Sequence, residues 1–95
     1  MAVKVRGDFN GLFGEFLCLS HSEVATSDTG DTVELREGME VIAFEEDVDD
    51  NGSSAFLVAR GLVEPSPEPL RCCGSRWALR INQAGVRHVP TLDDA

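Results

Sequence analysis

The sequence predicts a mainly β domain, either a small SH3-like barrel or two packed antiparallel sheets of about six short strands. Three observations lead there. Apolar residues alternate with polar ones over short runs, Gly, Asn and Pro fall between those runs, and 95 residues supply surface for one core only. A second domain would have nothing to bury, so residues 1-95 read as a single unit.

In chain order, Val3-Lys4-Val5-Arg6 is the first strand, and Asn10-Gly11 is read as the turn leading into Leu12 through Leu19. The polar run from Ser22 to Asp31 reads as a loop with one helical turn, followed by a short strand at Thr32-Val33-Glu34-Leu35. Met39 to Glu45 and Ala55 to Val63 flank Asp47-Val48-Asp49-Asp50-Asn51-Gly52, and the Asn-Gly pair favours a hairpin. Residues 64-70, with Pro65, Pro67 and Pro69, form a stiff polyproline-like connector.

The cleanest alternation is Arg76 to Asn82, where Trp77, Leu79 and Ile81 share the core face and Arg76 and Arg80 share the other. Gln83-Ala84-Gly85 then reads as a turn returning Val86 to Val89 as the partner of that strand, with Pro90 as the stop and 91-95 as an acidic tail.

This strand rhythm over about residues 33-90 resembles that of SH3-like barrels. The resemblance implies a fold and carries no functional residues with it. A proline-binding groove is not expected, because the chain has no Tyr and one Trp to line it.

Composition bounds the function. Hydrophobic residues make up 42% and five Phe are present, enough for a folded core despite a net charge of -9. The charge is polarised: residues 1-70 hold 4 basic and 15 acidic side chains, and residues 71-95 hold 4 and 2. A chain this acidic repels phosphate backbones, so nucleic acid is disfavoured as a partner. The apolar runs are far too short to cross a bilayer as a helix and the first residues show no secretory pattern. Three cysteines, with Cys72 and Cys73 adjacent, do not make a disulfide framework. The expectation is a cytoplasmic protein that uses no resident cofactor.

Four groups of residues carry candidate chemistry. Asp47, Asp49 and Asn51 with Gly52 match the first half of a calcium-binding loop, but the twelfth position is Val58 where a bidentate glutamate is needed. The alternative for these residues is a solvated hairpin turn. Cys18 and His21, with Cys72, Cys73 and His88, are zinc-ligand types at a spacing unlike zinc patterns, and otherwise read as small buried thiols. Cys18 with either histidine is also the minimum for a thiol-dependent enzyme, although the acidic surroundings oppose a thiolate.

The fourth group is basic. Arg71, Arg76, Arg80 and Arg87 can dock an acidic partner or pair with the surplus carboxylates of the same chain. Asp8 to Gly14 places Phe9 and Phe13 about a glycine turn, where they can expose an apolar rim for a partner or, as expected, plug one barrel end. The functional expectation is therefore a non-enzymatic protein-interaction module, with Arg76, Arg80 and Arg87 toward the partner. A calcium-binding protein acting through the 47-52 loop is the alternative, and a homodimer through a strand edge is compatible with either.

Overall fold

The structure, a computed structural model, describes residues 2-68, 74 and 76-95. Nine strands are present among them: β1 Val3–Arg6, β2 Asp8–Phe13, β3 Phe16–Ser20, β4 Val24–Thr26, β5 Thr32–Glu34, β6 Glu40–Val48, β7 Ser54–Pro65, β8 Trp77–Ile81 and β9 Arg87–Val89. A single 3₁₀ turn, Leu92–Asp94, follows. The fold is thus mainly β, a curled half-barrel sheet with a small two-stranded sheet beside it.

The main sheet runs β1-β6-β7-β8-β3-β2, and β9 also pairs with β7. Its spine is the β6–β7 hairpin, in register from Glu40↔Leu62 to Val48↔Ser54, as the alternation and the Asn-Gly pair predict. At its tip the Asp49 N–H donates to the Ser53 carbonyl and the Gly52 N–H to the Asp49 carbonyl, each at 2.9 Å. Gly52 holds φ +79°, a conformation that glycine adopts without strain. The first strand pairs parallel with β6, Val3 against Val41 through Arg6 against Phe44.

Sequence alternation puts apolar side chains on both faces of this sheet. Inside the curl, Val5, Leu17, Val41, Val63 and Leu79 are fully buried together, and Phe9 and Trp77 pack against them from half-buried positions. On the outer face, Ile42, Phe44, Val58 and Val89 form a second cluster, covered by Ala2, Phe56, Leu92 and Ala95. Phe44 and Phe56 meet edge to face, with centroids 6.4 Å apart. Residues 91-95 thereby lie over an apolar face.

Three local expectations are corrected. The strand at Val86 to Val89 does not return against β8, because both edges of β8 are already taken, by β3 and by β7. It lies instead on the next free stretch of β7, with Phe56↔Val89, Leu57↔His88 and Val58↔Arg87. β8 and β9 are consequently two segments laid end to end along one strand, joined by a loop that starts with the Asn82 N–H on the Arg60 carbonyl.

Asn10-Gly11 is not a turn either. Both residues lie within β2, where the register slips between Asp8↔Cys18 and Leu12↔Leu17, and the chain reverses at Gly14-Glu15. This bulge places its backbone donors on carboxylates, Phe9 N–H on Glu45 and Asn10 N–H on Asp8. Finally, the 22–31 segment holds no helical turn. Val24–Thr26 pairs antiparallel with Thr32–Glu34, closed by a turn in which Ser27 Oγ accepts the Asp31 N–H.

Candidate functional site

Sequence alternation sends the basic residues of the 76–82 stretch outward. Arg76 and Arg80 do stand on the face opposite Trp77, and both are exposed. Arg76 bonds Glu23 at 2.8 Å. Arg80 holds two carboxylates, Glu15 at 2.6 Å and Glu64, while its guanidinium lies 4.8 Å from the Phe16 ring centroid. Those carboxylates raise the Arg80 pKa above its ordinary value, the hydrogen bond from Glu64 contributing most. Arg87 is exposed and makes no ion pair among the described residues, and Arg71 lies outside them.

Two further pairs cross the sheet. Arg6 grips both oxygens of Glu46, at 2.6 and 2.7 Å, and lies 5.1 Å from the Phe44 ring centroid. That hydrogen bonding brings the Glu46 pKa down to about 2. Arg60 bonds Glu40 at 3.1 Å. Arg6–Glu46, Arg60–Glu40 and Arg80–Glu64 bridge different strands, the other two involve residues outside the strands, and all are solvated.

The 47-52 loop is organised by its own backbone. Asp49 Oδ1 accepts the N–H groups of Asn51 and Ser53, both at 2.9 Å, so this carboxylate serves as the cap of the turn. Asp47, on β6, faces the β9 residue His88 at 3.3 Å across the intervening β7. Asn51 is exposed at the tip. Among the described residues no group of three or more His, Cys, Asp or Glu side chains converges in a way that could hold a metal ion.

Cys18 and His21 are brought together, with Sγ and Nε2 3.9 Å apart. The thiol is 3% exposed, packed on β3 opposite the fully buried Ala78, and the imidazole is exposed. Cys72 and Cys73 lie outside the described residues, and His88 belongs to the Asp47 pair. Neither sequence spacing nor composition signals that pairing, because residues 47 and 88 meet only through the laying of β9 on β7.

A groove of about 380 Å³ lies between the β2–β3 turn and the loop joining β8 to β9. Leu12, Ile81 and Val86 give it an apolar wall, and Glu15, Asn82 and Gln83 line the rest. Leu12 and Val86 are 47% and 40% exposed; Phe13, the strand neighbour of Leu12, is 51% exposed and does not line the groove. Of the two aromatics expected to plug a barrel end, Phe9 therefore packs on the core and Phe13 faces solvent. No single stretch of sequence signals this groove, whose walls come from opposite ends of the chain.

No known family model, curated protein or solved structure matches this chain. Among the described residues no helix is long and apolar enough to cross a membrane.

Proposed function

We propose that the chain is a non-enzymatic protein-interaction module whose acidic surface receives a basic protein partner. The observation that carries this reading is the one-sided outcome of its ion pairing. Arg6, Arg60, Arg76 and Arg80 are each held by glutamates of the same chain. Asp28, Asp31, Glu34, Glu37, Asp49 and Asp50 have no lysine or arginine partner among the described residues.

Internal pairing engages four arginines, and although Lys4, Arg36 and Arg87 make no ion pair among the described residues, the carboxylates without a cationic partner outnumber them, so the net charge of -9 is expressed as unneutralised carboxylate at the surface. Such a surface accelerates encounter with a cationic partner and repels nucleic acid. Of the arginines that point to a partner in the sequence, Arg76 and Arg80 serve the chain's own carboxylates, and Arg87 is the one left to contact an acidic spot on that partner. The strand rhythm supports placing the curled sheet among SH3-like barrels, and a cytoplasmic setting belongs to the same proposal.

The test is affinity capture at about 50 mM and about 500 mM salt, each with calcium and with chelator, followed by cross-linking of carboxylates to partner lysines. A partner that is lost at high salt and cross-linked through the acidic residues is the expected result. Capture confined to the calcium lanes, or binding indifferent to salt, would overturn the proposal.

A further inference from the structure

We infer that the groove between the β2–β3 turn and the 82–86 loop is the docking cleft for an extended segment of a partner protein, in which an aliphatic or aromatic side chain stands next to a lysine or arginine. This inference rests on the interaction-module reading and assigns its contact site.

The first argument is burial. A β-sheet domain of this size has little reason to leave Leu12 and Val86 each 40% or more exposed around one depression, and grouped exposed apolar side chains mark interaction sites. Ile81 extends the wall inward to the core, where it packs from a half-buried position. The volume of about 380 Å³ is at the small end of ligand sites, suited to one large side chain and the backbone that carries it.

Charge complementarity identifies what accompanies that side chain. Glu15 supplies the groove's charged side chain, and its partner Arg80 is shared with Glu64. Two carboxylates on one guanidinium leave a surplus negative charge at the rim. Arg80 is at the same time held over Phe16 and cannot swing away to answer an incoming anion without leaving both. A cation placed beside the groove completes a set of two anions and two cations.

Polar recognition is also provided. Asn82 spends its Oδ1 on the Ala84 N–H, which fixes the loop, whereas the Gln83 amide makes no hydrogen bond among the described residues and is exposed. An amide so placed can both donate to and accept from a peptide backbone. The loop itself is pinned at both ends, by Asn82 on Arg60 and by the pairing of β9 with β7, so the cleft is formed before a partner arrives.

Selection of phage-displayed random 12-residue peptides against the folded protein at about 100 mM salt tests this. Enriched sequences are expected to place Leu, Ile or Phe next to Lys or Arg. The selected peptide, synthesised with a fluorescent label, is then titrated against Val86→Asp, Gln83→Ala and Glu15→Gln variants whose circular dichroism matches the parent. Val86→Asp is expected to weaken binding at least tenfold, Glu15→Gln several-fold with loss of the preference for a basic neighbour, and Gln83→Ala several-fold.

Enriched basic peptides whose affinity is the same for all three variants would overturn the groove and leave the interaction module standing. Acidic or charge-free selected sequences would overturn the assigned chemistry. An absence of enrichment would overturn the cleft, while the module stands or falls separately on the salt dependence of capture. Because Val86 and Gln83 are exposed loop positions, misfolding of these variants is not expected; should Val86→Asp fail to fold, Val86→Ser replaces it with the same expected direction.

Discussion

Gly61, buried in the middle of β7, lies so close to the carbonyl group of Arg80 on β8 that any Cβ at position 61 would collide with it. The obstacle is backbone, which cannot rotate aside, and it sits at the Gly61↔Ile81 pairing where β7 passes from its contact with β9 to its contact with β8. Gly61→Ala is expected to cost about 3 kcal/mol or more, at the upper end for an overpacked site. Thermal unfolding checks it: for a domain of this size that cost lowers Tm by roughly 12 °C or more. A loss of only a few degrees would mean that β7 and β8 separate at little cost.

The Arg6–Glu46 pair makes stability depend on pH with a definite sign. Hydrogen bonding to Arg6 lowers the Glu46 pKa from 4.5 to about 2, so the folded state holds the carboxylate ionised where the unfolded chain would protonate it. Its contribution is complete above about pH 4.5 and is lost as pH falls toward 2. Both side chains are about half exposed, so screening limits the worth of the pair to under about 1 kcal/mol. Urea unfolding of Glu46→Gln should show that small deficit at pH 7, a smaller one in 0.5 M salt as surface pairs are screened, and none near pH 2.

The hairpin tip separates a structural from a metal role for the 47-52 loop. Asp49 caps the turn through two backbone N–H groups, so Asp49→Ala is expected to lower stability by about 1 kcal/mol. The deficit should be the same with millimolar calcium and with chelator. A parent protein whose Tm rises with calcium, and an Asp49→Ala variant whose Tm does not, would assign the loop to metal instead.

Leu92 tests the outer cluster. It covers Ile42, Phe44 and Val58 from a half-buried position, so Leu92→Ala should cost about 1–2 kcal/mol, less than the roughly 3–4 kcal/mol expected for Leu79→Ala at a fully buried site. Hydrogen exchange should separate the two: Leu92→Ala is expected to quicken exchange in β9 far more than in β3 or β8. Uniform acceleration would mean that the segment is not a separate unit.

These outcomes also show which parts of the fold were legible. The β6–β7 hairpin and β8 follow from period and turn chemistry, which act over a few residues. The partner of β9 does not, because the Gln83-Ala84-Gly85 signal says only that the chain turns, and occupancy of β8 by β3 and β7 decides where it goes. Asn10-Gly11 failed as a turn for a related reason, since the carboxylates of Asp8 and Glu45 satisfy the donors of a bulge there. At the candidate site, the arginine stripe was readable from alternation. Its engagement with Glu15, Glu23 and Glu64, and the groove beside Glu15, depend on contacts between remote segments that period cannot encode.

The parallel pairing of Val3 to Arg6 with Val41 to Phe44 also sets an order of events in time. The first strand has no place on the main sheet until the sixth exists, whereas the β6–β7 hairpin needs only its own short turn. Closing a loop that spans the intervening strands carries an entropy cost that a hairpin avoids. By that argument the β6–β7 hairpin forms ahead of the docking of the first strand. Until that strand docks one edge of β6 stands open, and the speed of the docking governs how long the chain can be captured by another strand.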